Sequence, residues 1–161
     1  ALGIAANFSF AYDMFANELE DGNWQGAADW AERIRTEVTS APEGISASDW
    51  QEIQIEFQST VARAAFEAGR HREAVTEYTK LADMDRDRRA MANLQIGRSY
   101  LELQEFATAL DHFANAYVLG DATYSGPARA MVEEIYTTNT GGSLEGLEES
   151  VLRPARRRMG V

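Results

Sequence analysis

The apolar positions of this chain fall into stretches of helical spacing separated by short turns. No stretch sustains a period-two alternation of β-branched residues, so the pattern predicts helices and no sheet. Proline occurs only at Pro42, Pro127 and Pro154, which leaves long segments free to be helical. The predicted helices cover about 5–20, 24–38, 48–68, 71–83, 88–103, 106–118, 126–138 and 144–158. Within them, "GRSYLELQEFATALDHFANAY" carries Gly97, Ala109 and Ala116 where a buried helix would usually carry Leu or Ile. Tyr100, Phe106 and Phe113 stand between the small residues. Small side chains let two helices cross closely, and the aromatic ones are expected to fill the wider spaces beside the crossing.

The helices come in pairs, and the pairs repeat. Ala74, Val75 and Tyr78 match Ala109, Leu110 and Phe113 at an offset of 35, as Val61 and Ala62 match Ile96 and Gly97. Gly22 and Ala27 precede Gly69 and Ala74 by 47. The excess is the segment "TSAPEGISASDW", Thr39 to Trp50, whose Pro, Gly and Ser residues predict a longer loop running into a helix. A period near 35 with two helices per unit is the signature of a helical repeat array.

On these residues, "IGRSYLELQEFATALDHFANAYVL" resembles a tetratricopeptide repeat (TPR), a 34-residue helix pair with sparse small and aromatic positions. Ile96, Gly97, Tyr100, Phe106, Ala109, Phe113 and Ala116 follow that pattern in order. The preceding unit matches at Val61, Ala62, Gly69, Ala74, Tyr78 and Leu81, with Ala65 and His71 replacing two aromatics. The first keeps Gly22, Trp24, Ala27 and Ile34 but has Phe15 where a small residue is expected. The likeness is to bacterial TPR-like helical repeat proteins. It implies an all-α fold, a right-handed superhelix of antiparallel helix pairs, with units about 7–38, 50–86 and 89–121. Residues 122–161 then form C-terminal capping helices and a basic tail. There Met131, Ile135 and Tyr136 are expected to face inward and Ser143 to cap the last helix.

The resemblance also implies a protein- or peptide-binding scaffold with no active site of its own, the first helix of each pair lining a concave groove. Its register puts Tyr12 and Asp13, then Ser59, Arg63 and Phe66, then Gln95, Arg98 and Glu102 on that groove, with Leu94 and Leu101 beside them. Arg63 and Arg98 share a repeat position, and guanidinium groups suit the carboxylates of a peptide. The alternative is that each pairs with the Glu four residues on, Glu67 and Glu102. The Lys and Asn of the carboxylate clamp of some TPR proteins are absent; Ser59 and Gln95 stand at two of those positions. Two rival readings remain. One is an accessory domain of a larger enzyme, since "GGSLEG" loosely resembles stretches in some exported bacterial proteins with thioredoxin-like domains. The other is a self-associating structural module, because stacking faces also permit a homo-oligomer.

Composition narrows the classes. With 161 residues and 45% hydrophobic content the chain can bury one sizeable core. Its net charge of −11 argues against nucleic acid and favours a basic or neutral peptide partner. The absence of cysteine removes disulfides, thiolate catalysis and Cys-based zinc sites, and leaves the compartment open. No apolar run approaches the roughly 20 residues needed to cross a bilayer, so no membrane insertion is expected. The first residue is Ala1 and not Met, which suits a processed form or a piece of a longer protein.

Candidate chemistry is sparse. His71 and His112 belong to neither a His-Glu-x-x-His nor a Glu-x-x-His motif and are expected to serve packing or the surface. "DMDRDRRAMANL" begins like a calcium loop at Asp83, Asp85 and Asp87, but Arg88 and Leu94 stand where Gly and Glu are required. It predicts a turn with Asp87 as helix cap. Neither a metal nor a cofactor is expected. The cluster Arg153, Arg156, Arg157 and Arg158 predicts a helix C-terminal charge group or an internal partner for acidic surface.

Overall fold

The computed structural model describes residues 3–161, and every regular element among them is helical. The eight α-helices are α1 (Phe8–Glu20), α2 (Trp24–Glu37), α3 (Ala47–Glu67), α4 (His71–Met84), α5 (Arg89–Glu102), α6 (Phe106–Val118), α7 (Ser125–Thr140) and α8 (Arg153–Met159). A 3-10 turn, Ile4–Asn7, precedes α1, and a second, Arg86–Arg88, precedes α5. The chain divides into two compact units, the first ending at Glu77 and the second being Tyr78–Val161.

Three turns are built alike. After α1, α3 and α5 the chain passes through one residue of left-handed conformation: Gly22 at φ 71°, Gly69 at φ 74° and Gln104 at φ 59°. Each donates its N–H three residues back, to Leu19 at 3.1 Å, Phe66 at 3.0 Å and Leu101 at 2.9 Å. The next residues, Asn23, Arg70 and Glu105, donate five residues back, to Glu18, Ala65 and Tyr100, each at 2.9 Å. This paired closure satisfies carbonyls that the helix end leaves free. The following helix starts each time with an N–H from the repeat alanine, Ala27, Ala74 or Ala109, and all three alanines are fully buried. The spacings are those of the sequence repeat. Two turns use glycine, for which positive φ carries no Cβ penalty, and the third uses Gln104 at a cost.

In the first unit α2 packs against both α1 and α3. Its core joins Ala11, Phe15, Ala27, Ala31, Ile34 and Phe57, with Phe15 and Phe57 edge-to-face at 4.9 Å between ring centroids. The loop after α2 ends at Ser46, whose hydroxyl accepts the Asp49 N–H at 3.1 Å and so caps α3. A buried amide ties three helices: Gln58 of α3 donates to the Glu77 carbonyl and carboxylate of α4 and accepts from Arg35 of α2.

In the second unit α6 is central, packing on α5, α7, α8 and the turn that leads into α8. Phe113, Ala109 and Ala116 are fully buried there with Ala128, Val132 and Ile135 of α7 and Val151, Leu152 and Ala155 beyond. Gly97 of α5 lies directly against Phe113 of α6. A Cβ at that position would lie 2.8 Å from two ring carbons of Phe113. The first unit solves the same crossing with the sizes exchanged. Phe15 and Ala31, the repeat equivalents of Gly97 and Phe113, are both fully buried in one cluster. The large residue at Phe15 is thus compensated by a small one at Ala31.

Four local expectations need correction. Asp87 does not cap α5; Asp85 accepts the Asp87 N–H at 2.9 Å and caps the intervening 3-10 turn. Ser143 accepts the Glu145 N–H at 3.1 Å within a turn and caps no helix. The last segment is not one α-helix over 144–158. Glu148–Leu152 is a π turn, in which Arg153 donates to Glu148 five residues back, and α8 follows. Pro154 has no N–H to give and its ring crowds the preceding turn, so a widened turn just before it accommodates both. Phe106 does not fill the interior but is 51% exposed.

Candidate binding site

The predicted groove residues of the first unit are largely engaged with their own neighbours. Tyr12 packs on Phe8, Phe15 and Phe57, and its hydroxyl donates to the Glu56 carboxylate at 2.9 Å. Burial, and then that carboxylate, push the phenol pKa up to about 12. Asp13 is exposed, Ser59 is half-buried, and Phe66 is half-buried with its ring edge-on to His71 at 5.4 Å. Arg63 pairs with Glu67 at 3.5 Å, and its guanidinium lies 3.7 Å from the centre of the Trp24 ring. A cation over an indole face at an exposed site is worth about 0.5–1 kcal/mol. Sequence spacing suggested the Glu67 pair. Trp24, distant in sequence, carried no such signal.

In the second unit Gln95 is half-buried, while Arg98 and Glu102 are exposed. Among the described residues Arg98 forms no ion pair, so the pairing seen for Arg63 does not recur here. Leu94, read from the register as a groove residue, is buried in the core under α6 and α7. Leu101 remains half-buried at the end of α5.

Leu101 opens onto a concavity that the sequence did not announce. The turn at Gln104 sends the chain back so that Phe106, the first residue of α6, stands beside it. Met131 and Ile135 of α7 close the far side, one turn apart. The concavity holds about 280 Å3, with Glu134 and Thr138 at its rim. Thr138 turns its hydroxyl back to the Glu134 carbonyl at 2.8 Å, so it is satisfied within its own helix. Among the described residues the Glu134 carboxylate has no hydrogen-bond or ion-pair partner. It is the one charged group lining the cavity. The sequence marked Met131 and Ile135 as inward-facing, but their meeting with Leu101 and Phe106 depends on how α7 packs.

The histidines are placed by packing. Among the described residues no cluster of three or more His, Asp or Glu is arranged to hold a metal. His112 stacks on Tyr100 at 5.5 Å, and its Nδ1 lies 3.0 Å from the Asn93 side-chain oxygen. Asn93 donates to the Arg89 carbonyl and accepts from Asn115, which fixes its amide orientation and requires His112 to donate through Nδ1. Burial lowers the His112 pKa; Asp111 raises it and Arg158 lowers it further. The chain of polar contacts continues outward. Arg158 of α8 donates to Asn115 at 3.1 Å and reaches Asp111 at 3.5 Å, while Arg156 and Arg153 pair with Glu148 and Glu149. Much of the basic tail is therefore an internal partner for acidic groups. Asn93 and Asn115, both buried, were not singled out from the sequence.

Among the described residues no helix is long and apolar enough to cross a membrane. Compared with protein-family models and with curated proteins, the chain gives no match.

Proposed function

We propose that this chain is a TPR-like helical repeat module, a right-handed superhelix of antiparallel helix pairs, that binds a protein or peptide partner. Three turns with the same hydrogen bonds, spaced as the sequence repeat is spaced, support the repeat reading. The observation that carries the binding reading is the concavity at Leu101, Phe106, Met131 and Ile135. It leaves a phenylalanine half in water beside other apolar side chains and one carboxylate without a partner among the described residues. Apolar side chains left open around a concavity are surface that a partner's side chain can cover, which removes them from water.

The arginine-based expectation is narrowed by the same geometry. Arg63 lies over the Trp24 ring and pairs with Glu67, so a carboxylate ligand would compete with Glu67 for its N–H groups. Arg98 remains available as a cation. The test is identification of a partner by crosslinking in the source cells, followed by titration of that purified partner against the purified chain. Saturable, stoichiometric binding that weakens with Phe106→Ser supports the module. Partners that crosslink but never bind in titration would remove it.

A further inference from the structure

We infer that the concavity at Leu101, Phe106, Met131 and Ile135 accepts one bulky apolar side chain from a linear peptide segment that carries Lys or Arg beside that anchor. This rests on the binding-module reading and names the ligand chemistry of its site. Size is the first argument. At about 280 Å3 the space lies at the bottom of the range of roughly 300–1,000 Å3 usual for ligand pockets. It suits a single anchoring residue, the form in which peptide and helix ligands dock into shallow grooves.

Wall chemistry is the second argument. Leu101 and Ile135 are branched and held by the core cluster of α6 and α7, so they form a fixed floor. Phe106 and Met131 stand at the sides. Phe106 is 51% exposed and Met131 is half-buried, so covering them removes apolar surface from water. Methionine adapts to the shape of what enters.

Charge selects the flanking residue. Glu134 is the lining group that bears charge, it is exposed, and its carboxylate has no partner among the described residues. The whole chain is at −11, which repels acidic segments at distance and attracts basic ones. A cation next to the anchor thus meets a free carboxylate. An Asp or Glu there meets like charge. This is the reverse of the carboxylate preference that Arg63 and Arg98 suggested.

The experiment uses the full chain with methyl-labelled Met, Leu and Ile, observed by NMR. The probes are short acetylated Gly/Ser peptides with a central Trp, Leu or Ala, flanked by Lys or by Glu. The Lys-flanked Trp and Leu peptides should shift the methyl signals of Leu101, Met131 and Ile135. They should bind about tenfold or more tighter than the Ala-centred peptide. Affinity should fall with added salt, and Glu134→Lys should reverse the flank preference. Phe106→Ala, at an exposed position, should weaken binding while leaving the remaining methyl spectrum intact. Peptide-induced shifts centred on Arg98 or on the first unit would overturn this site and leave the module reading standing. Absence of any shift would also overturn it, and the module reading would then be judged by partner titration alone. Concentration-dependent self-association through the same methyls, abolished by Phe106→Ser, would make a second copy the occupant and overturn the peptide assignment.

Discussion

Replacing Gly97 by alanine separates two effects of opposite sign. Gly97 lies within α5, so on helix propensity alone alanine should stabilise the chain by about 1 kcal/mol. The structure predicts the reverse. The added Cβ would sit 2.8 Å from Cδ1 and Cε1 of Phe113 and 3.1 Å from Cγ. Carbon atoms pack at about 3.5–4.0 Å, so the ring must retreat by roughly 0.7 Å or the helices must part. Phe113 is fully buried among Ala109, Ala116, Ala128 and Val132 and has little room to move. Overpacking of this kind costs about 1–3 kcal/mol, which exceeds or matches the propensity gain. We expect a net loss of about 1 kcal/mol for Gly97→Ala, several times that for Gly97→Leu, and a melting point lower by about 2–4 °C for the alanine variant. Urea unfolding by far-UV circular dichroism, with amide exchange in α5 and α6, is the suitable assay. Tryptophan fluorescence would read the wrong unit, because Trp24, Trp30 and Trp50 all lie in the first. Phe113→Leu should partly rescue Gly97→Ala, giving a coupling energy of about 1 kcal/mol in a double-mutant cycle. A Gly97→Ala variant as stable as the parent, with no coupling to position 113, would refute the close-crossing argument.

Three further outcomes follow from single residues. Gln104 occupies a left-handed position that its two repeat equivalents fill with glycine, so Gln104→Gly should raise stability by about 0.5–1 kcal/mol in urea titration; a loss would mean that the side chain compensates elsewhere. The Ser99 hydroxyl is fully buried without a hydrogen-bond partner among the described residues, so Ser99→Ala should be neutral or stabilising by about 1 kcal/mol, and clear destabilisation would reveal a missed bond. His112, facing Tyr100, Asn93, Asp111 and Arg158, has its pKa lowered by burial, so the unfolded chain binds the proton more readily. Its stabilising contribution is full above the unfolded value of about 6.5 and is lost as pH falls through the lower folded value. Parent and His112→Gln should therefore differ in the slope of urea midpoint against pH below about 6.5, and identical slopes would count against the buried network.

Helix positions and turn spacing were legible in the chain because both are local. Helical spacing, scarce proline and the recurring Gly22, Gly69 and alanine positions reflect hydrogen bonds closed within a few residues, and for α1 to α7 they led to elements within a few residues of those observed, whereas the helix expected from 144 begins only at Arg153. The small residue at Gly97 likewise announced a close crossing, though not that Phe113 would be what it met. Side-chain fates were decided by packing between helices distant in sequence. Phe106 fits the repeat pattern yet stands half in water, because α7 meets α6 beside it without covering it. Phe15 looked like a departure until Ala31 was seen to share its cluster; volume is conserved across a crossing, not at a position. Arg63 found Trp24 as well as Glu67, whereas Arg98 found neither, though their repeat register is the same. The candidate site was illegible for the same reason. Its walls come from α5, α6 and α7, and a one-dimensional pattern records which face each helix buries but not the gap left where three faces fail to meet.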